Sequence, residues 1–194
     1  MNKRYLKTSQ KIAGFSALPK WLILSTALFL LIGCSHQKIE DYQKNSPKLL
    51  VENFFNGKLH AMGIVKNRQG KVIRYFSAVI EATWSEGIGT LDERFVFDDG
   101  EQQQRIWTLK QQDDGSYLAS ANDVIGEHKM HIAGNALFMD YILRIPYDDG
   151  HINVVVEDKM YLVTEGHIIN TSIMRKWGFE VGSIQLSIIK QPTL

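Results

Sequence analysis

Lys71-Val72-Ile73-Arg74-Tyr75-Phe76-Ser77-Ala78-Val79-Ile80-Glu81-Ala82-Thr83-Trp84 alternates along its length. One face carries Val72, Arg74, Phe76, Ala78, Ile80, Ala82 and Trp84, and Arg74 is its only polar member. The other face holds Lys71, Tyr75, Ser77, Glu81 and Thr83 beside Ile73 and Val79. A period of two places successive side chains on opposite faces, so this segment is a strand with one side against a core.

The same period recurs on both sides of it. Strands are predicted near Lys58 to Val65, Gly89 to Phe97, Gln102 to Leu109, Tyr117 to Asp123, Glu127 to Ala133, Ala136 to Ile145, Ile152 to Val163, Ile168 to Trp177 and Ser183 to Lys190. Between them lie Asn67-Arg68-Gln69-Gly70, Asp98-Asp99-Gly100, Asp113-Asp114-Gly115, Gly134-Asn135 and Asp148-Asp149-Gly150. These residues tolerate positive φ and favour hairpins. The prediction is an all-β fold, an antiparallel up-and-down meander of eight to ten strands. Closure into a barrel would leave no unpaired edge, and a two-sheet sandwich is the competing arrangement. Charges on the outward faces disfavour a barrel that spans a membrane.

Upstream the character changes. Met1 to Lys20 is basic, Trp21 to Gly33 is apolar, and Leu31-Ile32-Gly33-Cys34 resembles the lipobox of bacterial lipoproteins. The apolar run falls short of the roughly 20 residues that span a bilayer, so it is expected to be a signal peptide rather than an anchor. Cleavage is expected between Gly33 and Cys34, with acyl chains on Cys34 holding the protein on a membrane. Ser35, in place of aspartate, points to the periplasmic face of the outer membrane. Three regions follow: 1–33, a lipoprotein signal peptide; 34–48, the lipidated cysteine and a polar tether; 49–194, a single β-barrel domain. Ser46-Pro47 offers a helix N-cap followed by proline, predicting a short helix through Phe54. Cys34 is the only cysteine, which leaves no disulfide within the domain.

Of 194 residues, 44% are hydrophobic and 22% charged, a globular composition. Five of the 22 basic residues (Lys3, Arg4, Lys7, Lys11, Lys20) lie in the leader, which has no acid, leaving 17 against 21 acidic ones. A mature charge of about −4 is the wrong sign for general nucleic-acid binding, which requires basic side chains to displace phosphate counterions.

The chain resembles the proteobacterial lipoproteins grouped as domain of unknown function 3833. The resemblance rests on Phe54-Phe55-Asn56-Gly57-Lys58-Leu59, Gly89-Thr90-Leu91-Asp92-Glu93, Phe97-Asp98-Asp99-Gly100 and Arg105-Ile106-Trp107. It continues through Ala121-Asn122-Asp123-Val124-Ile125-Gly126, Gly134-Asn135-Ala136, Asp158-Lys159-Met160-Tyr161 and Lys176-Trp177-Gly178, and departs at Met62, where the family often has tryptophan. It implies a lipoprotein with a lipocalin-like barrel and no established activity.

Four charges fall on faces that otherwise look inward. Arg74 lies among the apolar residues of its strand, Glu93 alternates with Leu91, Phe95 and Phe97, and Arg105 with Trp107 and Leu109. Asp158 shares its face with Ile152, Val154, Val156, Met160 and Leu162. A buried charge must pair, meet water, or meet a ligand. Arg74, Glu93, Arg105 and Asp158 are therefore a candidate interior polar cluster that would orient the head of a fatty or isoprenoid ligand. The competing reading is two ion pairs, Arg74 with Glu93 and Arg105 with Asp158.

Other signals are weaker. His128 and His131 would lie on opposite faces of a strand, so no metal is expected there. The paired aspartates precede glycines and lack calcium-loop spacing. No nucleophile elbow occurs and the only cysteine is taken by the anchor, so an enzyme is not expected, nor is a cofactor. Trp84, Phe95, Phe97, Trp107, Phe138 and Tyr141 line either a cavity or a packed core. The expected role is binding or carrying a small apolar or amphiphilic molecule. The alternative is a structural or interaction accessory of the cell envelope that acts through its outer surface on a protein partner the sequence does not name.

Overall fold

The structure, a computed structural model, describes residues 37–147 and 149–192. The expected signal peptide, its cleavage point and Cys34 lie outside the described residues.

Ten strands form in the predicted order: β1 (Gly57–Asn67), β2 (Val72–Ser85), β3 (Ile88–Phe97), β4 (Gln102–Gln111), β5 (Tyr117–Ala121), β6 (His128–Ala133), β7 (Ala136–Tyr147), β8 (Gly150–Thr164), β9 (His167–Lys176) and β10 (Phe179–Lys190). Each pairs antiparallel with its neighbour in sequence, and β10 returns to pair with β1, from Leu59↔Lys190 to Asn67↔Gly182. The barrel is closed, which decides against the sandwich and gives every strand a neighbour on both sides.

Alternation fixes the core. Leu59 and Ala61 of β1, Ala78, Ile80 and Ala82 of β2, Trp107 and Leu109 of β4, Leu137, Met139 and Tyr141 of β7, and Val154 and Val156 of β8 are all buried. Because side-chain direction has a period of two, these contacts lock the register: a slip of one residue would turn each strand inside out.

One end of the barrel is plugged from within the chain. The helix predicted after Pro47 forms later and shorter, as α1 (Val51–Phe54), with Leu50 at its N-cap and no side-chain cap. Burial sets its place: Leu49, Val51, Phe54 and Phe55 are at most 4% exposed, and the Trp84 indole Nε1 donates to the Phe55 carbonyl at 2.6 Å. Burying each phenylalanine contributes about 2 to 3 kcal/mol, more than the cap that Ser46 was expected to supply.

The stretch expected to be a tether is partly ordered. Ile39–Tyr42 forms a 3-10 turn, and the Tyr42 ring packs 5.6 Å from Phe138 and 5.3 Å from Tyr161 on the outer wall. No helix among the described residues is long and apolar enough to cross a membrane.

Candidate functional site

The barrel holds a partly open cavity of about 120 Å³. Its apolar wall includes Ile80 of β2, Leu91 and Phe95 of β3, Trp107 of β4 and Met139 of β7, with Phe55 at the plugged end. Glu93, Arg105, Tyr141, Asp158, Asn170 and Ser172 bring polar atoms into the same space.

Three of the four predicted charges line this cavity, and Arg74 does not. Arg74 stands opposite Val65, beyond the packed rings of Phe76, Phe95 and Phe97, which lie 5.7 to 6.5 Å apart. Its Nη2 donates to Asp99 at 2.9 Å and to Glu101 at 2.8 Å, and its guanidinium lies 3.8 Å over the Phe97 ring. The long side chain follows the strand to the acidic β3–β4 turn, so Arg74 belongs to the rim and not to the interior cluster.

The expected pairings also differ. Glu93 and Arg105 are direct partners across β3 and β4, but Arg105 donates from Nε to both oxygens of Asp123 at 2.9 Å. Trp107 pairs with Ala121, so continuing that register sets Asp123 opposite Arg105. The segment then leaves β5 and meets β7, where Arg144 N donates to the Asp123 carbonyl at 2.8 Å and Val124 bridges to Leu143. Asp158 also lacks the arginine: its Oδ1 accepts from Asn170 Nδ2 at 2.5 Å and Ser172 Oγ at 2.6 Å. Glu93 makes no ion pair among the described residues.

Electrostatics follow from this geometry. Burial pushes the Glu93 carboxyl up to about 7 against the pull of Arg105, with Asp158 and Asp123 raising it further and a hydrogen bond from Trp107 lowering it. Burial also raises Asp158, against its bonds to Asn170 and Ser172. The Tyr141 hydroxyl is raised by burial and by Asp158, and so remains a protonated donor. For Arg105, burial works against the charge but is outweighed, first by Tyr141 and then by Asp123 and Glu93, and the guanidinium stays ionised.

The sequence model described as "Protein of unknown function (DUF3833)" matches residues 28–190. The chain belongs to that family. Comparison with curated proteins finds no match. Among solved structures, the S-type phycobiliprotein lyase from Guillardia theta is similar, with 16% identity, a TM-score of 0.49, and coverage of 81% of this chain and 99% of that chain.

Of the aromatic residues singled out in this DUF3833 chain, Phe95, Trp107 and Tyr141 line the cavity. Trp84 braces the plug, Phe97 carries Arg74 at the rim, and Phe138 faces outward beneath Tyr42. His128 accompanies Tyr141, with its Nε2 2.9 Å from the Ile125 carbonyl, whereas His131 is exposed on the other face. Among the described residues no group of three or more histidines, cysteines or acids is placed to hold a metal. Asp123, Asn170 and Ser172 were missed, although parity marks each: Asp123 follows Tyr117, Ala119 and Ala121, and Asn170 and Ser172 follow Ile168.

Proposed function

We propose that this protein is a lipoprotein, held at the periplasmic face of the outer membrane by acyl chains on Cys34, whose barrel binds a small molecule with an apolar body and a polar end. The observation that carries the binding reading is the cavity itself, a largely apolar chamber lined by two carboxyl groups that make no ion pair among the described residues. Ligand sites combine apolar walls with a few placed polar groups in this way. The volume limits the ligand. A cavity of about 150 Å³ accepts benzene, so 120 Å³ holds about five or six heavy atoms, and anything longer would extend through the open side.

The membrane part of the proposal rests on the sequence: an apolar run ends at Leu31-Ile32-Gly33-Cys34, which resembles a lipobox.

The test is mass spectrometry of the intact protein extracted from cell envelopes. The expected result is an acylated Cys34 at the new N-terminus with a small non-covalent ligand bound. Cys34→Ala should move the protein to the soluble fraction. An unmodified Cys34 in membrane-associated protein would count against the anchor, and a persistently ligand-free barrel against carriage.

A second reading, catalysis, is favoured by Glu93 alone. A carboxyl held near neutrality inside a cavity can give and take a proton. It would be supported if Glu93→Gln left ligand binding intact while abolishing a chemical change in the ligand.

A further inference from the structure

Resting on the reading of the cavity as a ligand site, we propose that the polar end of the ligand is a protonated amine, so that the barrel takes a small alkyl- or arylammonium ion and refuses a carboxylate. The argument is a count of charge by partner. Three acids, Glu93, Asp123 and Asp158, surround one base, Arg105, and that base is committed to Asp123 through Nε and Nη2 at 2.8 to 2.9 Å. Glu93 and Asp158 remain in the apolar wall without an ion pair of their own: both feel the field of Arg105, and Asp158 accepts from the neutral Asn170 and Ser172, but the one guanidinium cannot balance three acids.

A buried acid without a cation either takes up a proton or waits for a cation to arrive. An ammonium ion brings positive charge and up to three donors to Glu93 and Asp158, whose carboxylates accept them when ionised. A carboxylate would add another negative charge between Glu93 and Asp158. The wall is of a kind that accepts a cation: Phe95 and Trp107 already hold the Arg105 guanidinium 5.8 and 6.0 Å from their ring centroids, and Tyr141 meets Trp107 edge to face at 5.3 Å. Burial lifts both carboxyls, so at low pH a proton competes with the amine for the same sites. The groups facing Glu93 are Arg105 from β4, Tyr141 from β7, Asp158 from β8 and Asp123 beyond β5. Arg105 and Tyr141 hold their protons throughout the neutral range, which leaves the acids to set the pH response.

The experiment uses the full-length protein and three probes of nearly equal size, n-butylamine, 1-butanol and butyrate, with affinities read by ligand-observed NMR. The amine is expected to bind at least tenfold more tightly than the alcohol and to strengthen from pH 5.5 to 8, with butyrate not competing. Glu93→Gln combined with Asp158→Asn should weaken the amine about tenfold or more and leave the alcohol unchanged. Alcohol binding as tight as the amine, tighter butyrate, or an amine affinity indifferent to pH overturns the amine assignment and leaves the cavity a ligand site. If none of the three binds, the ligand-site reading falls as well.

Discussion

Glu93 and Arg105 face each other across the β3–β4 ladder, yet the guanidinium turns to Asp123 and leaves the glutamate without an ion pair. The consequence is a dependence of stability on pH. Folding raises the Glu93 value from 4.5 to about 7, so the folded chain binds this proton more tightly than the unfolded one. Its contribution is fully present below about 4.5 and is lost as pH rises through 7. The loss is about 3 kcal/mol, and the raised Asp158 adds in the same direction. Denaturant unfolding at pH 5 and pH 8 should show a larger drop for the wild type than for Glu93→Gln, which should be the more stable protein at pH 8. Equal drops would show that Glu93 is not the buried acid the geometry makes it.

The two arginines should separate cleanly. Asp123→Ala strands Arg105, whose side chain is 19% exposed, against the apolar wall and should cost about 2 to 3 kcal/mol. Arg74→Ala removes a rim contact to carboxylates that are 57% and 47% exposed, together with a ring contact, and should cost about 1 kcal/mol. Urea midpoints measured side by side decide it, and the reverse order would place Arg74, not Arg105, in the interior.

The strands and their faces were legible because alternation is written residue by residue. Glu93, Arg105 and Asp158 were assigned inward from their apolar neighbours, and the cavity includes all three. Partnership was not legible in the same way. Parity says which face a side chain leaves from, but Arg74 leaves from the inward face and reaches the rim along its own length. The Arg105–Asp123 pair needed the β4–β5 register, which brings together residues 18 apart and depends on where the Asp113-Asp114-Gly115 turn closes. The helix was misplaced for a related reason: Ser46-Pro47 is a local signal, and the packing of Leu49, Val51, Phe54 and Phe55 outweighed it.

Trp177 occupies a tight hairpin between β9 and β10 at φ 50°, followed by Gly178 at 82°, and is 87% exposed. Glu86 holds the matching place before Gly87 at φ 52°. Two-residue turns with positive φ at both positions favour asparagine first, and a side chain such as tryptophan is strained there. Trp177→Asn and Glu86→Asn should each raise stability by about 0.5 to 1 kcal/mol, seen as a higher melting temperature. A fall in the Trp177 variant alone would mean that the ring contributes to the fold, starting with Lys176, whose Nζ lies 5.3 Å from the ring centroid.

Gly134 decides whether the segment leading to the barrel stays docked. A Cβ there would lie 1.9 Å from the Tyr42 carbonyl oxygen, and the residue already sits at φ 54°. Backbone cannot yield as a side-chain tip can, so Gly134→Ala should lift Tyr42 from Phe138 and Tyr161 while the strands, held by their own ladders, persist. Gly115→Ala is the control, because its φ of 79° imposes similar strain but nothing lies within 4 Å of the added carbon. Trypsin can read the difference at Lys38, Lys44 and Lys48, all exposed in the segment. Cleavage there should accelerate in Gly134→Ala and stay at the wild-type rate in Gly115→Ala, with both barrels resisting digestion. If the two variants are cut alike, the glycine is not what seats the segment.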